Sequence, residues 1–120
     1  MSSKIVWFEV VGQDADKMRA FYGKLFGWNF NVLPEIDYGL TACEETGIPG
    51  GVGKAQAGNG WNAFYVGVDD LDATLAMASD SGASVLQPPT TLPDGTYLAV
   101  IADPEGRPLG LVKNQAGTTT

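Results

Sequence analysis

Few side chains in this sequence are equipped for acid–base or nucleophilic chemistry, and the chain contains no histidine. A Ser-His-Asp triad is therefore impossible, and Ser84 has no imidazole to activate it. Cys43 is the single cysteine, so it forms no disulfide within the chain, and we expect a buried, inert thiol. The glycine-rich segment "GIPGGVGK" lacks the GKS or GKT ending of a phosphate-binding loop. Carboxylates and aromatic side chains remain as the candidates for chemistry.

Glu9 is the carboxylate that the pattern places best. In "KIVWFEVV" the alternation of a strand puts Trp7 and Glu9 on one face, while the opposite face is wholly apolar and is expected to pack on helices. A carboxylate beside a tryptophan in a partly closed cleft can act as a general base or hold the amine or hydroxyl of a ligand. Alternatively, Glu9 pairs with Arg19, Lys54 or a backbone donor and only braces its strand. The sequence leaves both interpretations open.

A helix must follow this first strand, over "DADKMRAFYGKLFGW". Asp14 is expected to cap its start and Gly27 its end. Its apolar residues recur at i, i+3, i+4, i+7 and i+8, and they are Met18, Phe21, Tyr22, Leu25 and Phe26. We expect the three rings of this stripe to be buried in the core.

Shorter elements follow, and then the pattern begins again. "WNFNVL", "YGLTAC" and "GGVGKA" are predicted strands, separated by breaks at Pro34 and within "EETGIPGG". "WNAFYVGV" is a further strand, and "DDLDATLAMASDSGA" is a helix that opens at Asp69 or Asp70, ends near Gly82 and carries Leu71, Leu75 and Ala78 on one side. The last three predicted strands are "SVLQPP", "TYLAVIA" and "PLGLVK".

The two halves correspond at an offset of 56 residues. Asp14 stands in the same relation to Val10 as Asp70 does to Val66, so the chain is predicted to be a βαβββ unit written twice. This predicts an α+β fold in a single domain over 1–114, with halves of about 3–57 and 61–114 and a flexible polar tail at 115–120. By the same symmetry Tyr65 corresponds to Glu9.

Composition and charge restrict the class of partner. With 44% hydrophobic and 18% charged residues among 120, the chain should fold as one domain. A net charge of -7 repels phosphate backbones and anionic lipid, so nucleic acid and membrane partners are not expected. The start, "MSSKIVWFEVV", has no apolar stretch typical of a signal peptide, which favours the cytoplasm.

Three segments, "AFYGKLFGW" (20–28), "VDDLDAT" (68–74) and "DPEGRPLGL" (103–111), carry a resemblance that extends over nearly the whole chain. The sequence resembles the vicinal-oxygen-chelate superfamily of glyoxalase I, bleomycin-resistance proteins and extradiol dioxygenases. The resemblance implies two tandem βαβββ units whose curved mixed sheets form a cleft, with helices outside, a ligand in the cleft and a homodimeric assembly. In metal-using relatives the first and last strands of each half supply His or Glu ligands.

By that resemblance the four ligand positions fall near Trp7, Gly53, Ala63 and Gly110, and none of these side chains can bind a metal. We therefore expect no metal and no cofactor. The glycines either leave room for a ligand or relieve packing against a neighbouring strand. Aromatic rings are expected to line the cleft or its rim, so the predicted site comprises Trp7, Glu9, Tyr38, Gly53, Trp61, Ala63, Tyr65 and Gly110.

Two functions follow, and we favour the first. One is binding of a small, partly aromatic or apolar molecule in a metal-free cleft, for sequestration, resistance or sensing. The other is a lyase, isomerase or cyclase that acts on a carbonyl compound, either through Glu9 and Tyr65 without a metal or with a divalent ion that the alignment misses. The second function depends on family analogy alone.

Overall fold

A computed structural model describes residues 2–56 and 58–114 of the chain. The order of the elements is β1 Ile5–Gly12, α1 Ala15–Phe26, β2 Asn31–Leu33, β3 Tyr38–Thr41, α2 Cys43–Thr46, β4 Gly50–Lys54, β5 Trp61–Val68, α3 Leu71–Asp80, β6 Ser84–Thr91, β7 Tyr97–Ala102 and β8 Pro108–Lys113. This order confirms the predicted α+β class and the βαβββ pattern written twice. In the described residues no helix combines the length and the apolar character that crossing a membrane requires.

The chain forms two compact units. In the described residues, the first unit lies within 7–63, and the second combines residues 2–6 with 64–114. Within the first, the strand order is β2-β3-β4-β1, with β1 and β4 parallel; within the second it is β5-β8-β7-β6, with β5 and β8 parallel. The predicted domain limits stay predictions, and the predicted tail, 115–120, lies outside the described residues.

The two main helices begin in the same way, as the repeat predicts. Asp14 Oδ1 accepts a hydrogen bond from the backbone N–H of Lys17, and Asp70 Oδ1 accepts one from that of Ala73, each at 3.0 Å. These side chains satisfy backbone donors that the first helical turn leaves without a partner. Gly27 ends α1 in the left-handed conformation, as expected of a glycine at that position.

The predicted burial of the α1 stripe is wrong. Phe21, Leu25 and Phe26 are 57%, 59% and 55% exposed, and Tyr22 is half-buried. The helix instead buries Ala15 and Arg19. The guanidinium of Arg19 is held by carbonyl and carboxylate oxygens of the first unit, so the side of α1 that carries Ala15 and Arg19 is the buried one. The rings pack on one another and on Trp28 rather than beneath the helix.

Shorter strands than predicted form in the middle of the first unit. Only Asn31–Leu33 of "WNFNVL" and Tyr38–Thr41 of "YGLTAC" are strands, and Cys43–Thr46 forms a helical turn. Cys43 is exposed, so the prediction of a buried thiol is also wrong. Its Sγ donates to the carbonyl of Gly47 at 3.1 Å, a bond that the helical turn makes possible.

The core of the second unit matches its pattern. Leu71, at the start of α3, is 1% exposed and lies among Val68, Ala99, Ile101 and Leu111. Leu75 and Ala78, on the predicted inner side of α3, pack against this cluster. Here the helical period of the apolar residues decided the buried face, because no charged side chain competes for it.

Candidate functional site

A chain of hydrogen bonds in the first unit converges on Glu9. Tyr38 Oη donates to Glu9 Oε1 at 3.1 Å, and Trp61 Nε1 donates to Glu9 Oε2 at 2.9 Å. Trp7 Nε1 in turn donates to Tyr38 Oη at 3.2 Å. All four side chains are half-buried. The structure thus brings together Trp7, Glu9, Tyr38 and Trp61, four of the eight predicted site residues, in one group, which we call the Glu9 cluster.

Strand geometry explains why these side chains meet. Trp7 and Glu9 are two residues apart on β1 and therefore point to the same face, as predicted. Tyr38 reaches them from β3 across β4, whose glycines leave the space that its ring fills. A Cβ at Gly51 or at Gly53 would collide with that ring. The register pairs Gly53 with Tyr38 on one side and with Val11 on the other.

The second predicted glycine is also covered by a tyrosine. Gly110 pairs with Tyr65 in the parallel register of β5 and β8, and a Cβ at Gly110 would collide with the Tyr65 ring. Tyr65 is 6% exposed and Ala63 is 8% exposed. Of the two readings of Gly53 and Gly110, relief of packing on a neighbouring strand is the one that these contacts support, since a tyrosine ring takes the space. Tyr65 belongs to the second unit, and its pairing with Glu9 stays a prediction.

The cations proposed as partners of Glu9 have other contacts. Arg19 bonds to Asp16 and Asp37, each at 2.7 Å, and Lys54 Nζ donates to the carbonyl of Gln13 at 3.0 Å. The sequence pattern predicts Tyr38 only as a ring that lines the cleft or its rim, and it does not predict the hydrogen bond from Tyr38 to Glu9. The glycines at alternate positions in "GGVGK" leave space for a large side chain on an adjacent strand, but they do not specify Tyr38 or its bond to Glu9.

Trp61 also borders a depression in the surface of the first unit, with a volume of about 630 Å³. The wall consists mainly of the end of β1, the first two turns of α1 and residues 59–62, and its apolar part includes Met18, Phe21 and Tyr22. A volume of several hundred Å³ is typical of small-molecule sites. Trp61 therefore borders this space and also donates a hydrogen bond to Glu9.

The residues at the family's ligand positions do not fit a metal ion. Trp7, Gly53, Ala63 and Gly110 carry no carboxylate, imidazole or thiolate, the donors that metal sites in proteins use. Across residues 2–56 and 58–114, no three His, Cys, Asp or Glu side chains gather in a way that would hold an ion. We therefore assign no step to a metal.

Two pKa shifts occur away from the Glu9 cluster. The hydroxyl of Tyr97 donates to Asp72 Oδ1 at 3.0 Å, and this bond raises the pKa of Tyr97 above its usual 10.0. Hydrogen bonds from Thr96, first from its backbone N–H, lower the pKa of Asp94 below 3.8. Both groups are on the surface of the second unit.

Comparisons with known proteins agree with this fold. Residues 4–110 match the family described as the Glyoxalase/Bleomycin resistance protein/Dioxygenase superfamily. The chain is 29% identical over 120 residues to "Putative glyoxylase CFP32" of Mycobacterium bovis, covering 91% of this chain and 43% of that protein. It is 28% identical to "Probable lactoylglutathione lyase" of Vibrio cholerae, covering 85% of this chain and 84% of that protein.

A solved structure shows the same fold at low sequence identity. A glyoxalase/bleomycin resistance protein/dioxygenase superfamily member from Vibrio splendidus aligns with a TM-score of 0.67 at 11% identity, covering 94% of this chain and all of that one. The chain spans less than half the length of the mycobacterial relative. Because the family match extends over most of its residues, this chain belongs to the glyoxalase/bleomycin resistance protein/dioxygenase superfamily.

Proposed function

We propose that the protein binds a small, partly aromatic or apolar molecule beside the Glu9 cluster, without a metal ion, for sequestration, resistance or sensing. One observation carries this proposal: the phenol of Tyr38 and the indole of Trp61 each donate a hydrogen bond to one carboxylate oxygen of Glu9. These bonds orient the carboxylate, and each oxygen has the capacity for more than one hydrogen bond. Phe21, Tyr22 and Trp61 border the depression and offer aromatic rings for apolar contact, and the depression has the volume for such a ligand.

Ligand-dependent melting tests the proposal. Aromatic amines and phenols should raise the melting temperature, while benzoate, which offers a carboxylate instead of a donor, should not. At 100 times its Kd a ligand stabilises the folded state by about 2.7 kcal/mol. Glu9→Gln should abolish this stabilisation, whereas Glu35→Gln, at an exposed carboxylate of the same unit, should retain it. Equal responses from the two variants, or a stoichiometric divalent ion in the purified protein, would contradict the proposal.

A second candidate is a lyase, isomerase or cyclase that acts on a carbonyl compound. Its support is the name of the Vibrio cholerae relative, "Probable lactoylglutathione lyase", together with the Glu9 carboxylate, which would act as the base. Without a metal, the predicted proton donor is Tyr65. The alternative is a reaction with a divalent ion, for which the described residues form no group of three ligands. An enolisable ketone incubated with the protein in D₂O should then exchange its α-protons. Loss of exchange in Glu9→Gln would support Glu9 as the base, and loss of exchange on adding a chelator would support a requirement for a divalent ion.

We also propose that two copies of the chain associate through the outer face of α1. Phe21, Leu25 and Phe26 expose large apolar surface there, which is unusual for a free surface of a soluble monomer. The mycobacterial relative is more than twice as long as the part that this chain matches, so a second copy of this chain would provide comparable length. Action in the cytoplasm stays a prediction from the sequence.

Sedimentation or light scattering tests this association. The wild-type protein should have twice the chain mass of 12.6 kDa, and Leu25→Lys should shift it to a single chain. Met77→Lys is the matched control, because Met77 is an exposed apolar residue on α3 rather than on α1. A monomeric wild type, or a monomer produced only by the control, would rule out the α1 interface.

A further inference from the structure

Arg19 is the charged side chain that α1 buries, with 7% of it exposed. One terminal nitrogen donates to the carbonyl oxygens of Val52, at 3.0 Å, and Asp37, at 3.4 Å. The other donates to the carboxylates of Asp16 and Asp37, each at 2.7 Å. A buried guanidinium requires such partners, since an uncompensated charge would be strongly destabilising. Arg19 therefore ties helix α1 to strand β4 through the carbonyl of Val52, and to the turn before β3 through Asp37.

Asp37 is the residue on which these contacts concentrate. It is the one non-glycine residue with a positive φ, +50°, in the described part of the chain. Its carbonyl oxygen also accepts from the backbone N–H of Lys54 at 2.9 Å. A left-handed conformation at a residue other than glycine has an energetic cost and persists when its surroundings require it. The contacts of Arg19 supply that requirement.

Tyr38 follows Asp37 directly and begins β3. Gly39, the next residue, faces Arg19, because a Cβ there would collide with the Arg19 side chain. Tyr38 consequently points to the opposite face of the strand, where its ring lies on Gly51 and Gly53. Its hydroxyl there bridges Trp7 Nε1 and Glu9 Oε1.

We propose that Arg19 and Asp37 are positioning residues for the Glu9 cluster. Neither contacts Glu9 in the bonds described, yet together they set the backbone from which Tyr38 reaches it. The helix on one face of the sheet thus controls the geometry of the hydrogen-bonded carboxylate on the other. The importance of this control for ligand binding rests on the proposed function, whereas the geometric coupling itself does not.

The indole N–H signals in a ¹H–¹⁵N NMR spectrum test the coupling without any ligand. The chain has three tryptophans. Tyr38→Phe removes the acceptor of the Trp7 N–H and should displace that signal. Asp37→Gly keeps a residue that tolerates a positive φ but removes the carboxylate, so it should displace the Trp7 signal in the same direction. Trp28, which packs on Phe8 and Tyr22, should not move and serves as the internal reference.

Asp16→Asn is the matched control. Asp16 bonds to the same nitrogen of Arg19 at the same distance, but its side chain is 93% exposed and it lies on the helix. If Arg19 only formed structural ion pairs, the Asp16 and Asp37 variants should have the same effect on the Trp7 signal. If Asp37 positions Tyr38, only the Asp37 variants should move that signal. Should Asp37→Gly fail to fold, Asp37→Asn, which adopts the left-handed region readily, should give a smaller displacement of the same sign.

Arg19→Lys tests the same coupling from the side of the helix, because a single ammonium group cannot bond to two carbonyls and two carboxylates at once. It should move the Trp7 signal as Asp37→Gly does. A Trp7 signal that stays in place in the Asp37 variants while Tyr38→Phe moves it would overturn the proposal, as would an equal displacement in Asp16→Asn. These outcomes are independent of ligand binding, so failure here is distinguishable from failure of the proposed function.

Discussion

Trp61 Nε1 donates a hydrogen bond of 2.9 Å to Glu9 Oε2, although 52 residues separate the two side chains in sequence. The bond joins the start of β5 to the middle of β1. It also connects the surface depression that Trp61 lines with the carboxylate at the centre of the Glu9 cluster. A change in either residue should therefore affect the other.

Trp61→Phe should lower the free energy of unfolding by about 1–2 kcal/mol, since it removes a donor to a half-buried carboxylate. A double-mutant cycle separates the energy of the Trp61–Glu9 hydrogen bond from the effect of the smaller ring. It requires urea denaturation of four proteins: the wild type, Trp61→Phe, Glu9→Gln and the double variant. A coupling of at least about 0.5 kcal/mol is expected for residues in one hydrogen-bonded network. Additive effects would mean that the bond contributes nothing to stability.

Alanine at the two covered glycines should destabilise the protein through overpacking. Gly53→Ala and Gly110→Ala each place a Cβ against a tyrosine ring and should lower the free energy of unfolding by about 1–3 kcal/mol. Gly12→Ala is the control, because the nearest neighbouring atom, Cγ of Met18, is 3.8 Å from its Cβ. Thermal or urea unfolding measures all three. In a Tyr38→Ala background the penalty of Gly53→Ala should become smaller but persist in part, because the added Cβ also meets the carbonyl oxygen of Asp37 at 2.9 Å. An unchanged penalty would mean that the Tyr38 ring is not its cause.

The repeated helix caps should contribute equally. Asp14→Ala and Asp70→Ala each remove a 3.0 Å bond to a backbone N–H and should lower the free energy of unfolding by about 1 kcal/mol. Asp80→Ala, at the last residue of α3, is the matched control and should be neutral or slightly stabilising, because a carboxylate is unfavourable at that helix end. A cost at Asp80 equal to that at the caps would argue against the capping interpretation.

Tyr97 should make stability depend on pH in the alkaline range. Its pKa is raised because its hydroxyl donates to Asp72, so the protonated phenol is favoured in the folded state. The contribution is therefore fully present below pH 10.0 and is lost as the pH rises through the higher pKa of the folded protein. Unfolding followed from pH 8 to 12 should show that Tyr97→Phe loses this alkaline dependence. A parallel pH profile in wild type and variant would exclude the Asp72 bond as its cause.

The apolar period of a helix predicts the buried face of α3 but not that of α1. The α3 face was predicted correctly because Leu71, Leu75 and Ala78 follow the helical period and pack on the core cluster. The α1 face was not, because one buried arginine with carbonyl and carboxylate partners outweighed the apolar period of its rings. Predicted strand ends failed around Cys43, where a short helical turn satisfies backbone groups that a strand would have paired with a neighbour.

Sequence by itself determined the βαβββ repeat, the capped helix starts and the shared face of Trp7 and Glu9, because these depend on local periodicity and on side chains next to one another. Tertiary structure alone decided what Glu9 bonds to. Tyr38 and Trp61 reach it through the register of β3 on β4 and through the space that Gly51 and Gly53 leave, and no local pattern encodes which distant donor a carboxylate meets. Pairing between remote strands sets such contacts, since a register shift of one residue would turn each of these side chains to the opposite face.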